Sequence, residues 1–335
     1  MSIWVSVCAA VAAFVVSSVM GIFLIPFLRK LKFGQTILDI GPRWHKHKEG
    51  TPTMGGFMFA AGTVIGIIVG IIVLNLTSED TQQVSVIEMT KLYAGLGMAI
   101  AFGFVGFLDD YIKVVKKQNM GLNAKQKLFM QMIFGALYLL AIYMSGDTST
   151  IIKFPFIGQL NLGILYYPIV LLAMLFIVNA VNLTDGVDGL CSSVTFVYAL
   201  SFMAILSMLS FKGLSIYAIS LAAACLGYLV WNFYPAKVMM GDTGSMFLGG
   251  SVLALGIGAG LHVLILVAGI IYVVEALSVV IQVISFKTTG KRIFKMSPIH
   301  HHFEMSGWSE VKIVGVFSAI TLVAGILSVG AIFGI

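Results

Sequence analysis

The sequence predicts an all-α, polytopic integral membrane protein of about ten transmembrane helices with both termini outside. Three observations carry that reading. Of the 335 residues, 59% are hydrophobic and only 10% are charged, and the mean hydropathy is +1.03, far from the balance of a soluble domain. Ten stretches approach the length of about 20 apolar residues that a bilayer core requires. Lys and Arg concentrate in alternate connections between those stretches.

The spans are expected near residues 3–27, 55–74, 92–108, 128–146, 165–184, 189–211, 213–231, 245–261, 263–286 and 313–335. The first has no positive residue before it in MSIW and is followed by RKLK, so it is expected to remain as a helix and not as a cleaved signal. The second starts at the glycines of TPTMGG, and the third ends on the paired aspartates of GFLDDYIKV. The fourth follows the basic segment KKQNMGLNAKQK, and the fifth runs into NLTDGVDGL. A short FKG link separates the sixth from the seventh, and MMGDTGS precedes the eighth. The ninth carries a lone Glu275, and the tenth closes the chain. So little lies outside these spans that residues 1–335 are expected to form a single transmembrane domain.

Of the 20 basic residues, 17 fall in the connections after spans 1, 3, 5, 7 and 9. The positive-inside rule makes that side the cytoplasm. Lys91, Lys153 and Lys212 fall on the opposite side. The net charge of +6 is therefore mostly topology, and no aromatic-interleaved basic module points to nucleic acid. Cys8, Cys191 and Cys225 lie in or beside apolar spans without metal or disulfide spacing, and read as packing residues.

Five carboxylates share the cytoplasmic face: Asp109 and Asp110, Asp185 and Asp188, and Asp242 in GDTGS. Each motif alone is as readily a helix terminus or a solvated cap. Glu79, Asp80, Glu88 and Asp147 lie in polar outward loops. Carboxylates one or three residues apart repel unless a cation or donor compensates. Mg²⁺ takes such oxygen ligands together with waters and substrate phosphates. Basic residues on the same side, Lys46, Lys48, Lys113, Lys116, Lys117, Lys125 and Lys127, supply charge for phosphates or merely enforce topology and meet anionic lipid. Lys48 and Lys125 stand out because Gly, Thr or Asn flank them. Thr51, Thr53, Gly55 and Gly56 open the second span, where helix N–H groups could hold an anion. His300, His301 and His302 lie between spans 9 and 10. Consecutive histidines seldom meet one zinc ion, so phosphate or sugar binding is expected, with a buried hydrogen-bonding role for at least one ring as the alternative.

The ordered set PRWHKHKEGTPTMGG, GFLDDYIKV, NLTDGVDGL, NFYPAKVMMGDTGS and SPIHHHFE strongly resembles the phospho-N-acetylmuramoyl-pentapeptide-transferase family. It is similar more widely to the polyprenyl-phosphate N-acetylhexosamine-1-phosphate transferases, which share the aspartates. The resemblance runs from about residue 20 to the end of the chain. It implies transfer of phospho-MurNAc-pentapeptide from UDP-MurNAc-pentapeptide to undecaprenyl phosphate, giving lipid I and UMP with Mg²⁺ as cofactor. It also implies a homodimer in the bacterial cytoplasmic membrane, with the active site on its cytoplasmic face.

By the same resemblance, Asp109, Asp110 and Asp242 are the catalytic residues and Asp242 is the Mg²⁺ ligand. Lys48, Thr53, Lys125, Asn182, Asp185, Asp188, Asn232, Met239 and Gln282 line the nucleotide-sugar pocket, with His301 and His302 nearby. Met239 stands where relatives often carry Phe, which puts base stacking in doubt, although a thioether still contacts an aromatic face. Glu275 is either a polar tie between helices or a substrate contact. A phosphate monoester with a second pKa near 6 needs no general base at neutral pH, so direct displacement is expected in preference to a phospho-aspartate. Two alternatives stand beside this reading. One is a UDP-GlcNAc transferase of the same superfamily, and the other is a secondary transporter, whose sites belong near midplane.

Overall fold

A computed structural model describes residues 2–31, 48–77, 84–115 and 120–334. Lys46, Glu79, Asp80, Lys116 and Lys117, named above, lie outside the described residues. The chain forms α1 (Ile3–Lys30), α2 (Gly56–Thr77), α3 (Val86–Val115), α4 (Ala124–Met144), β1 (Ile151–Phe154), β2 (Gly158–Asn161), α5 (Tyr166–Leu183), α6 (Leu190–Met208) and α7 (Lys212–Asn232). It continues with α8 (Gly241–Gly258), α9 (His262–Ala268), α10 (Ile270–Thr289), α11 (Ile299–Glu304) and α12 (Glu310–Ala331). Among the described residues, nine helices are long and apolar enough to cross a membrane. The expected all-α polytopic architecture is therefore present.

Three details differ from the expectation. The eighth span, α8, falls outside those nine because its first turn, GDTGS, dilutes 18 residues that are otherwise apolar. Span 9 is divided at Gly269, whose N–H bonds back to the Ile265 carbonyl 3.0 Å away, into the short α9 and the long α10. Between α4 and α5 the chain forms an antiparallel hairpin pairing Ile151 with Asn161 and Phe154 with Gly158.

α8 is the axis of the bundle. Every residue from Thr243 to Gly258 is buried, against α3 and α5 and, at its first turns, α2. Between transmembrane helices there is no hydrophobic drive to associate, so close packing of small residues has to supply the attraction. The sequence provides for this. A Cβ on Gly250 would meet the Ala99 Cα of α3 at 2.6 Å, and one on Gly106 of α3 would overlap the Asp242 backbone. The two helices therefore touch through their main chains. Tyr198, Tyr217 and Tyr272 are also fully buried, each with its hydroxyl bonded: to the Val252 carbonyl at 3.1 Å, Ser251 at 2.9 Å and Thr195 at 2.7 Å. The three cysteines are free, two of them buried, as packing residues would be. Because α3 and α8 run in opposite directions, their crossing brings the end of one and the start of the other to a single place.

Candidate active site

That place is where the aspartates meet. Asp109 and Asp110 lie in the last two turns of α3, Asp242 in the first turn of α8. One carboxylate oxygen from each lies within 4.8 Å of the other two. Asp110 accepts from the Asp242 and Thr243 backbone N–H groups at 3.2 and 2.9 Å, and from the Thr243 hydroxyl at 2.7 Å. It thus caps the start of α8 from a neighbouring helix, satisfying N–H groups that have no partner of their own. Asp109 accepts from the Leu122 N–H at 2.8 Å and pairs with Lys113, one turn on, at 2.6 Å. Asp242 receives Lys127 at 2.7 Å and Lys113 at 3.2 Å on one oxygen, and the Asn182 amide at 2.9 Å on the other. Its side chain keeps 20% of its exposure, so the cluster opens outward through Asp242.

Two stretches frame this centre. The segment before α2 docks on the segment before α8 through backbone bonds: Met239 N–H to the Pro52 carbonyl and Gly55 N–H to the Met239 carbonyl, both 2.8 Å. Thr53 sits beside Gly241, whose φ of +69° turns the chain into α8; a Cβ there would press on the Thr53 hydroxyl and the Asp110 carboxylate. Asn232 holds the other flank, accepting from the Gly189 N–H at 3.2 Å and donating to the Val238 carbonyl at 2.9 Å.

The α5–α6 turn carries the remaining pair. Asp188 is buried; it accepts from Lys48 at 2.7 Å and from the Ala236 N–H at 2.9 Å. Lys48 also reaches Glu310, at the start of α12, at 2.6 Å. Glu310 in turn accepts the Asp188 N–H at 3.0 Å. Half-buried Asp185 has its carboxyl pushed well above the usual carboxylate range, first by burial and then by the charges of Asp242, Asp110 and Asp188, with Lys48 pulling the other way.

The structure thus gathers Asp109, Asp110, Asp242 and Asn182 into one centre and joins Lys48, Asp188 and Asn232 in its wall. Met239 contributes its backbone, and its side chain is half-buried. Gln282 spends its amide on the 293–294 backbone, at 2.9 to 3.0 Å. His302 accepts the Lys295 N–H at 3.1 Å, and His301 lies 2.6 Å from Glu304 within α11. Lys125 is exposed; the lysine that enters the carboxylate centre from α4 is Lys127. Lys113 and Lys127 stand in the sequence only among seven basic residues that could supply charge for phosphates, without preference, and Glu310 is not singled out at all. The first two had a legible signal. Lys113 lies one turn after Asp109, and Lys127 extends backward by four the buried α4 stripe of Gln131, Gly135, Tyr138 and Ile142. Glu310 had none, being 122 residues from Asp188.

The donor set is all oxygen, which suits a hard divalent cation. Asp242 and Asp109 are held in part by lysine ammonium groups, which a cation could replace, whereas both oxygens of Asp110 are held by the start of α8.

Comparison with known proteins identifies the family. Residues 92–260 match the model of glycosyl transferase family 4, a stretch that includes Asp109, Asp110, Asp185, Asp188 and Asp242. The chain is 48% identical over 319 residues to the phospho-N-acetylmuramoyl-pentapeptide-transferase of Clostridium perfringens (strain 13 / Type A), covering 95% of each chain. It is 46% identical over 321 residues to that of Clostridium beijerinckii, covering 95% of this chain and 93% of the other. With that of Heliobacterium modesticaldum it shares 44% over 322 residues, or 95% and 96% of the two. Likeness of this depth over nearly the whole length shows that the chain belongs to the phospho-N-acetylmuramoyl-pentapeptide-transferase family.

Proposed function

We propose that this protein transfers phospho-MurNAc-pentapeptide from UDP-MurNAc-pentapeptide to undecaprenyl phosphate, releasing UMP and forming the lipid-linked diphosphate. The carrying observation is the meeting of Asp109, Asp110 and Asp242 with Lys113 and Lys127 at one end of an apolar bundle. One reactant is a membrane lipid and the other a water-soluble anion, so their phosphates can meet only at an interface. Such a site at a helix-bundle end fits that requirement, and fits poorly with a transporter, whose sites lie near midplane.

In this reading a lipid phosphate oxygen attacks the sugar-bearing phosphorus of the donor. The new P–O bond forms as the bond to the bridging oxygen breaks, and that oxygen leaves on UMP. Lys113 and Lys127 neutralise charge on the phosphates, and Asp110 holds the start of α8, and with it Asp242, in place. Both Asp110 oxygens and both Asp109 oxygens already accept hydrogen bonds or an ion pair. A lipid phosphate monoester is itself an anionic nucleophile at neutral pH, so direct displacement needs no protein nucleophile and is the step this reading takes. Asp242, with Asp109, would hold Mg²⁺, which when bound supplies positive charge to the diphosphate and to the departing UMP. Asp185, Asp188 and Lys48 belong to the wall that receives the nucleotide sugar. The reading places this end of the bundle at the cytoplasmic face of a bacterial membrane, takes the whole chain as one catalytic unit, and pairs it with a second copy, as the family resemblance implies.

The test is UMP release by purified protein in detergent, with Mg²⁺, UDP-MurNAc-pentapeptide and undecaprenyl phosphate. UMP formation that needs all three components is the expected result. Folded protein that releases none would overturn the reading, and release from UDP-GlcNAc instead would move it to the neighbouring transferase.

A further inference from the structure

Glu275 is the one acidic residue in the middle of α10, and its side chain is fully buried. A carboxylate in such a place is costly unless another group compensates it. The compensating group is His300, also fully buried, whose Nδ1 lies 3.0 Å from the Glu275 carboxylate. The same carboxylate oxygen sits 3.5 Å from the His300 backbone N–H. Contact is close, yet the ring nitrogen and carboxylate are not aligned as a hydrogen bond, and the second Glu275 oxygen and His300 Nε2 have no hydrogen-bond partner among the described residues. Buried polar atoms left so are expensive, and packing alone offers no reason to keep them.

The far side of the ring supplies a reason. His300 Nε2 faces Gly186, at which a Cβ would overlap the imidazole. Gly186 follows Asp185 in the α5–α6 turn. The ring also lies 4.1 Å, centroid to centroid, from His301. Glu275 therefore abuts a ring that touches both the Gly186 turn and His301. Catalytic contacts that are loose without substrate commonly tighten when it binds, and a poorly aligned pair is one that can tighten.

We propose that Glu275 and His300 form a positioning dyad, in which the carboxylate orients the imidazole and the imidazole sets the Gly186 turn and His301 for the nucleotide-sugar donor. The inference rests on the proposed function. It assigns Glu275 a role between its two expected ones: it ties helices together, and through that tie it acts on the donor and not on the lipid.

Steady-state kinetics with full-length Glu275→Ala, Glu275→Gln and Gly186→Ala test it. In Glu275→Ala the KM for UDP-MurNAc-pentapeptide should rise about tenfold, as expected for loss of a contact supporting a binding residue. The KM for undecaprenyl phosphate should stay within about twofold. Glu275→Gln, which keeps an acceptor, should restore most of the loss. Gly186→Ala displaces the ring from its other side and should raise the same KM, and its effect should not add to that of Glu275→Ala, because the two share one partner. An unchanged donor KM in Glu275→Ala, or an equal change in both KM values, would overturn the dyad. If Glu275→Ala does not fold, the same split in Gly186→Ala decides the matter. Wild-type protein that neither releases UMP nor binds it in calorimetry would remove the function reading and the dyad with it, whereas an active wild type beside insensitive variants removes the dyad alone.

Discussion

The two ends of the helix bundle treat charge in opposite ways. At the hairpin end, groups pair one to one. Lys91 meets Asp147 at 2.5 Å, the Tyr166 hydroxyl meets His262 Nε2 at 2.8 Å, and Glu88 accepts the Gly213 N–H at 2.5 Å. At the other end, among the described residues, Asp109, Asp188, Asp242 and Glu310 share the three ammonium groups of Lys48, Lys113 and Lys127, and Asp110 and Asp185 lie beside them without an ion pair of their own. Lys91 and Asp109 belong to the same helix, about 27 Å apart at 1.5 Å per residue. The chain is therefore able to pair its charges one to one, and within this cluster it does not, although most of its basic residues lie on the same side. An acidic surplus is an odd place for a diphosphate unless a cation accompanies it. The surplus is itself an argument for a divalent ion, made from this molecule alone.

Removing part of that surplus should break the contrast most sharply. Asp242→Asn is expected to lower UMP release by about 10³-fold, roughly 4 kcal/mol at 1.36 kcal/mol per tenfold. Its melting temperature should stay near that of the wild type, since Asn182 and the α8 cap remain. Activity above about a tenth of wild type at ordinary Mg²⁺ would show that the ion is held elsewhere.

Lys48 gives the next largest effect, on stability. Lys48→Met leaves buried Asp188 facing partly buried Glu310, and breaking a buried pair from one side costs about 3–5 kcal/mol. Adding Glu310→Gln to Lys48→Met should recover part of it, because the repelling partner is gone. Thermal melts of the single and double variants measure this. A double variant no more stable than the single one would mean that Glu310 and Lys48 do not act as a unit.

A comparison of Lys127 with Lys125 shows how far the sequence could be read. Lys127→Ala is expected to lower turnover about 10²-fold, in the range for loss of a group that stabilises developing charge, whereas Lys125→Ala should stay within about twofold, as for exposed charges generally. The motifs that end helices were legible because aspartates are rare in an apolar chain and fall where hydropathy stops. Which lysine joins them was harder. Residues two apart on a helix point to nearly opposite sides, and only the crossing of α4 with its neighbours decides which faces inward. The turn-like setting of Lys125 drew attention to composition. The four-residue step from Gln131 back to Lys127 was the stronger signal. The same limit explains the break at Gly269, since a stretch apolar on every side has no periodicity to lose. It also explains Glu310, which reads locally as a first-turn acid of α12 and meets Lys48 only through the fold.

The smallest effect belongs to the hairpin end, and it serves as the control. Burial pushes the Asp147 carboxyl up, but the hydrogen bond and charge of Lys91 outweigh it and hold the group below the usual carboxylate range. A carboxylate whose folded pKa is lowered adds stability above its unfolded pKa, about 3.9, and loses it as pH falls through the folded value. Asp147→Asn should therefore lower stability by about 1 kcal/mol at pH 7, between an exposed pair and a buried one. The gap from wild type should hold down to about pH 5 and close below about pH 4. UMP release at pH 7 should not change. A gap that persists in acid would assign the loss to packing and not to the ion pair, and a fall in turnover would mean that the paired charges of this end reach the carboxylate centre through α3.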